Sequence, residues 1–255
     1  MFKNKIFDTH AHYDEEAFNE DRDTLIRQMH ENGIGKIINV GADISSSLKS
    51  IELARKYDFI YAAVGVHPYD AEHMTEEDYK MLQKCCKSFK VVAIGEIGLD
   101  YHYDDHDAEA QKYWFERQLQ LCKEAEMPVI IHSRDASQDT FDIIKKSGVR
   151  KGVIHAFSGS AELAAEYVKM GFYIGVGGVV TFKNAKKLVE VVEKTPLTRI
   201  LTETDSPYLS PTPFRGERNN SQNLRYVVEK IGSIKQMDPE TVISVTYENA
   251  EMLFF

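Results

Sequence analysis

Two histidines separated by a single residue, His10 and His12, close a short apolar stretch that begins at Ile6. Alternate side chains of a β-strand share a face, so both rings can reach one metal ion. Alone, such a pair is a weak signal. Four more residues of ligand chemistry, Glu96, His132, His155 and Asp205, each stand at the end of a separate apolar run. Imidazoles and carboxylates without thiolates suit Mg, Mn, Zn, Ni or Fe, and the donor set alone does not name the ion. One ion rarely takes six protein ligands. Two divalent cations about 3.5–4 Å apart, bridged by a carboxylate, would use them all. Such a pair lowers the pKa of a bridging water and steadies the attacking and leaving oxygens, which is the chemistry of hydrolysis.

Each of these residues has a plainer use when taken singly. A histidine such as His132 after an apolar run is often a hydrogen-bonded core residue. Glu96, in Ile94-Gly95-Glu96-Ile97-Gly98, could pair with an inward Lys or Arg, since a buried carboxylate needs a partner. Asp205, before Ser206-Pro207, could be a turn residue. Together the plain readings require six coincidences.

Something must bring these positions to one place. Eight short runs, apolar almost throughout, read as strands buried on both faces: Lys5–His12, Lys36–Ala42, Ile60–Val66, Val91–Leu99, Val129–Ser133, Gly152–Phe157, Phe172–Gly177 and Arg199–Thr204. Amphipathic stretches of helical period alternate with them: Asp21–Asn32, Ser45–Tyr57, Thr75–Ser88, Ala108–Ala125, Ala136–Ser147, Ser160–Met170, Asn184–Glu193 and Asn220–Lys230, then a last helix near Pro239–Met252. Gly33 is placed to end the first, serines to cap the second, and Thr75 with Asp78 to form a capping box on the third. Eight βα units recurring about every 30 residues predict a single (β/α)8 TIM barrel of metal-dependent hydrolase type over residues 1–255. An open doubly wound sheet lacks its Gly-rich fingerprint here. In such barrels reactive residues collect at the C-terminal ends of the strands, where all six candidates fall.

The net charge of −9 argues against broad attraction to nucleic acid or anionic membrane, though not against a site whose cations supply local positive charge. Cys85, Cys86 and Cys122 offer no CxxC spacing and read as unreactive thiols in a reduced compartment. No apolar run reaches the roughly 20 residues that span a bilayer, and the N-terminus has no signal-peptide core. The expectation is a cytoplasmic protein, monomeric because no element stands apart from the barrel.

Six segments together resemble the TatD-related DNase family, a branch of the metal-dependent amidohydrolase-like barrels. They are Asp8-Thr9-His10-Ala11-His12, Gly65-Val66-His67-Pro68, Gly95-Glu96-Ile97-Gly98-Leu99-Asp100-Tyr101, His132-Ser133-Arg134, His155-Ala156-Phe157-Ser158-Gly159 and Glu203-Thr204-Asp205-Ser206-Pro207-Tyr208-Leu209. The resemblance covers essentially the whole chain. It implies that His10, His12, Glu96, His132, His155 and Asp205 hold two divalent cations, with Glu96 as the bridge. It also implies hydrolysis of DNA phosphodiesters with Mg or Mn, in the manner of a 3′-to-5′ exonuclease favouring single strands. After Arg218-Asn219 the family commonly continues Glu-Pro, whereas this chain reads Asn220-Ser221. That departure bears on substrate preference.

Asp205 is the expected proton acceptor from the attacking water, since a carboxylate beside such a water can act as general base. Glu203, two residues earlier and on the same face, either orients that water or supports a ligand histidine. His67 and Asp100 follow the third and fourth strands as supporting or substrate-contacting groups; His67 could equally be a plain loop residue. Arg134 could hold a phosphate or form a surface ion pair. Lys183 follows the seventh strand, where barrels often bind phosphate, behind the paired glycines Gly177-Gly178. Phe182 and Tyr208 offer faces for base stacking, and Arg215 lies in the loop after the eighth strand. Tyr101–Asp107 reads as a polar loop over the barrel mouth. A small-molecule amidohydrolase or lactonase with the same two cations is the competing activity; a silent barrel used as a scaffold is the third reading.

Overall fold

The computed structural model describes residues 2–103 and 107–255; Asp104, Asp105 and His106 of the expected polar loop lie outside the described residues. Eight parallel strands follow one another in sequence order: β1 (Ile6–Ala11), β2 (Ile34–Val40), β3 (Ile60–Val64), β4 (Val91–Asp100), β5 (Val129–Arg134), β6 (Gly152–Ile154), β7 (Tyr173–Val176) and β8 (Ile200–Thr202). Each is followed by a helix: α1 (Arg22–Glu31), α2 (Ile44–Lys56), α3 (Glu76–Cys85), α4 (Ala108–Ala125), α5 (Ser137–Ser147), α6 (Ala161–Lys169), α7 (Lys186–Lys194) and α8 (Leu224–Lys235). A ninth, α9 (Pro239–Phe254), ends the chain. This is the expected TIM barrel. Among the described residues no helix is long and apolar enough to cross a membrane.

Local chemistry sets the boundaries. Thr75 and Asp78 form the expected capping box on α3, with Asp78 N–H donating to Thr75 Oγ1 at 3.2 Å and Thr75 N–H to Asp78 Oδ2 at 2.9 Å. On α2 the cap is Asp43, not a serine. Its carboxylate accepts from Ser46 N–H at 2.6 Å while Ser46 Oγ accepts from Asp43 N–H at 2.8 Å. A carboxylate at that position also favours the positive end of the helix.

Each strand sends a side chain into the barrel: Phe7, Ile38, Ala63, Ala93, Ile130, Val153, Tyr173 and Leu201 belong to one cluster that also takes Ala250, Leu253 and Phe254 of α9. Phe255 packs on Tyr61 at 4.7 Å between ring centroids, with Lys36 Nζ 4.0 Å from its centroid. Phe7, Lys36 and Tyr61 all lie near the starts of their strands, so α9 plugs the N-terminal end. The C-terminal mouth is left for chemistry.

The seam between β1 and β8 is closed by side chains. Among the described residues only Ala11 and Ser206 form a bridge there, beside Asp205 N–H to His10 C=O at 2.9 Å and His12 N–H to Ser206 C=O at 2.7 Å. Below them the wholly buried Asp8 accepts from Thr204 N–H (3.0 Å), Thr204 Oγ1 (2.7 Å) and Ser221 Oγ (2.6 Å). Burial raises its pKa to about 6 against those hydrogen bonds. A raised folded-state value means that Asp8 contributes most below about pH 3.8 and loses that contribution as pH rises through about 6. Asp8→Ala, which removes the acceptor of these three donors and of His10 N–H at 3.3 Å, is expected to lower unfolding free energy by about 2–3 kcal/mol. Asp8→Asn is expected to gain on the native protein between about pH 4 and pH 7. Urea unfolding at both pH values checks this; an alanine variant as stable as the asparagine one would refute the clasp.

Candidate metal centre

Strand phase explains how the donors reach one point. Along β5, β6 and β8 the inward residues Ile130, Val153 and Leu201 are each followed two positions later by an inward His132, His155 or Glu203, and Asp205 follows Glu203 by two more. On β1 and β4 the count is odd, from Phe7 to His10 and from Ala93 to Glu96. Both strands slip register against their neighbours between those residues, at Asp8/Ala11 and at Ile94/Ile97. A bulge re-aims the following side chain, and here it turns His10 and Glu96 inward. Gly98, with φ +151°, permits the close approach of β4 and β5 there, since a Cβ would collide with the His132 carbonyl oxygen.

The six expected ligands converge. His10 Nε2 lies 3.0 Å from His12 Nε2, 3.4 Å from Glu96 Oε2 and 3.7 Å from Asp205 Oδ1. Asp205 Oδ1 is 3.4 Å from His12 Nε2 and 3.7 Å from His155 Nε2. Glu96 Oε1 turns the other way, 2.8 Å from His132 Nδ1 and 3.7 Å from His155 Nε2. Thus Glu96 belongs to two donor groups, one with His10 and His12, the other with His132 and His155. The donors fit divalent cations: oxygens and imidazole nitrogens face one another at separations that a shared ion would fill. His12 Nδ1 donates to Val40 C=O at 2.8 Å, which leaves the Nε2 lone pair facing the centre.

Two carboxylates stand behind the histidines. Asp100 Oδ2 is 2.8 Å from His132 Nε2. Glu203 Oε1 lies 3.2 Å from His155 Nδ1 and accepts from Ala156 N–H at 2.5 Å. Of the two roles considered for Glu203, this position matches support of a histidine. Asp205 itself is a non-glycine residue at φ +58°, one of the sparsely populated conformations that concentrate at functional sites.

Without cations, protons take their place. Burial disfavours charge on His12, but Asp205 and Glu96 outweigh it and push the pKa to about 9. His155 rises to about 10 beside Glu203, Glu96 and Asp205, and His132 to about 9 beside Asp100 and Glu96, each against burial. Values above the unfolded 6.5 give the metal-free fold a stability fully present below pH 6.5 and lost as pH rises through 9–10. Cations need the lone pairs and displace those protons. The rise in Tm on adding Mn over a chelated control is therefore expected to grow from about pH 6 to about pH 9. A rise that shrinks over that range would contradict the centre.

A cavity of about 680 Å³ opens above the donors. Of the remaining expected residues, His67, Asp100, Arg134 and Tyr208 line it. Lys183 and Arg215 do not; Lys183 is exposed, and Arg215 lies 4.6 Å from the Phe182 ring centroid. The glycine pair ahead of Lys183 serves packing, since a Cβ on Gly178 would strike Leu209 and Pro211. Sequence reading missed Tyr69, whose ring sits 5.5 Å from that of Tyr103, a residue of the expected mouth loop, on the wall beside Arg134. The Arg218-Asn219-Asn220-Ser221 departure also has a structural use. Arg218 pairs with Asp21, Asn219 Nδ2 donates to Thr204 and Tyr208 carbonyls, and Ser221 joins the Asp8 clasp.

A closed βα barrel with paired histidine–carboxylate groups at its C-terminal mouth defines a metal-dependent hydrolase. Comparison with known proteins agrees. The chain is 47% identical over 251 residues, 98% of each chain, to the metal-dependent hydrolase YabD of Bacillus subtilis. To the metal-dependent hydrolase YjjV of Escherichia coli it is 33% identical over 98% of each. The crystal structure of that TatD homologue matches with a TM-score of 0.93, covering 98% of this chain and 97% of the other. The TatD-related DNase family matches residues 7–255, and the protein belongs to it.

Proposed function

We propose that this metal-dependent hydrolase is a deoxyribonuclease, acting as a monomer on DNA ends with two divalent cations. One would be held by His10, His12 and Asp205, the other by His132 and His155, with Glu96 common to both. Bound there, the cations would supply positive charge to a phosphate and lower the pKa of water. The chain's own groups do the rest. Asp205 accepts the proton of the attacking water. Arg134 holds a phosphate oxygen, Tyr69 and Tyr103 offer ring faces, and Asp100 and Glu203 fix the rings of His132 and His155.

The observation that carries this reading is Arg134. It is the sole Lys or Arg among the described residues lining the cavity, and its recorded contacts are Tyr69 Oη at 3.4 Å and the Tyr103 ring at 5.7 Å. Among the described residues no carboxylate pairs with it, which leaves the guanidinium for an anionic substrate. The test uses metal-stripped protein, end-labelled single-stranded DNA, and Mg or Mn added back. Shortening from the 3′ end, with KM raised about tenfold in Arg134→Ala, is expected. No metal-restored cleavage would overturn the proposal. The cavity volume also suits a small ester or amide; a substrate affinity insensitive to salt would favour that alternative.

A further inference from the structure

A second recess, of about 210 Å³, adjoins the metal centre and shares Ala156, Ser158, Asp205 and Leu209 with the main cavity. Phe157, Val179 and Leu188 give it largely apolar walls, and Ala185 stands among them. Ser158, Lys187, Asp205 and Glu203 also border it, and one oxygen of Glu203 is unpartnered. Glu203 is 1% exposed, and its Oε1 accepts from Ala156 N–H and lies 3.2 Å from His155 Nδ1, but its Oε2 is buried with no hydrogen-bond partner. Gly175 leaves room beside that oxygen, because a Cβ there would lie 2.5 Å from it. A buried carboxylate oxygen lacking a donor is costly, and an apolar slot around it selects a flat ligand that brings an N–H.

We propose that this recess seats the base of the nucleotide being released, with Glu203 Oε2 accepting from an exocyclic amino group. The inference rests on the deoxyribonuclease reading and adds a selectivity to it. Cytosine and adenine, which carry that amino group, are favoured over thymine and uracil, which present a carbonyl at the same edge. The ring fills the space between Val179, Leu188 and Phe157, and the phosphate remains at the metal centre beside Asp205.

Equilibrium binding to the metal-loaded protein tests this with three probes: deoxycytidine monophosphate, deoxyuridine monophosphate and deoxyribose 5-phosphate. The cytosine nucleotide is expected to bind about tenfold more tightly than the bare sugar phosphate, with the uracil nucleotide close to the latter. Ala185→Trp and Val179→Phe, which fill the recess, are expected to bring all three together and leave sugar-phosphate binding unchanged. Equal binding of the three probes by the native protein would overturn the inference, and that comparison needs no variant. So would an undiminished preference in either variant of native Tm and metal content. DNA cleavage without base preference would remove the recess and leave the nuclease. Base-selective binding without DNA cleavage would do the reverse, and no binding of any probe would remove both.

Discussion

Glu96→Gln is expected to leave the barrel folded, to bind fewer divalent cations than the native protein, and to lower hydrolysis by about 10⁴-fold or more. The magnitude follows from what the cations supply, since bound metal can bring the pKa of water from about 15.7 to about 7. Glu96 is the one residue of the six that turns a separate oxygen to each donor group. Its Oε2 faces His10 at 3.4 Å, and its Oε1 faces His132 at 2.8 Å. Glutamine keeps the volume but turns one oxygen into an amide N–H, which cannot ligate. Burial by itself would raise the pKa of Glu96, yet the rings of His10 and His155 hold it well below the usual carboxylate range. The sign is that of a depressed acid: Glu96 stabilises the fold above about pH 4.5, and this is lost as pH falls. Elemental analysis and activity on one preparation decide the matter. Two ions per chain in Glu96→Gln would show that the carboxylate is no bridge.

The parts of this site that strand periodicity governs were legible in the sequence. His132, His155 and Asp205 keep step with Ile130, Val153 and Leu201, so counting by twos from the apolar core finds them. His10 and Glu96 break step. Strict alternation from Phe7 and Ala93 would turn both away from the barrel, and only their ligand chemistry marks them. The register slips that re-aim them arise from pairing between strands, which one strand's own sequence does not encode. Loops were harder still. Lys183 follows β7 in sequence, but a 3₁₀ turn over Gly178–Thr181 intervenes and it stands outside the cavity. Tyr69 had no periodic signal; it enters the wall because His67 caps the 3₁₀ turn that follows β3, accepting from Tyr69 N–H at 3.1 Å. Glu203 was placed on the correct face by period two, yet the choice between touching water and supporting His155 needed a distance.

Asp205→Asn separates proton transfer from cation binding, and for that reason its outcome differs in kind from that of Glu96→Gln. The carboxylate sits where Oδ1 meets the Nε2 atoms of His10, His12 and His155, within 3.4–3.7 Å. Its side chain is 18% exposed toward the cavity, against 5% for Glu96. Both carboxylates of the centre line the cavity, and Asp205 is the more open to a water there. Burial opposes its ionisation, but the rings of His155, His12 and His10 keep its pKa below the ordinary value, so it is ready to accept a proton throughout the neutral range. Asparagine retains an oxygen for the histidine side and removes the acceptor. The expected result is kcat lowered by about 10³-fold, within the range of general-base contributions, with KM little changed and bound metal closer to the native content than in Glu96→Gln. Rapid-mixing kinetics on metal-loaded protein read kcat directly. A variant that keeps native kcat would move the base elsewhere, to Glu203 or to a cavity wall group. A variant that loses its metal as fully as Glu96→Gln would make Asp205 a ligand before anything else.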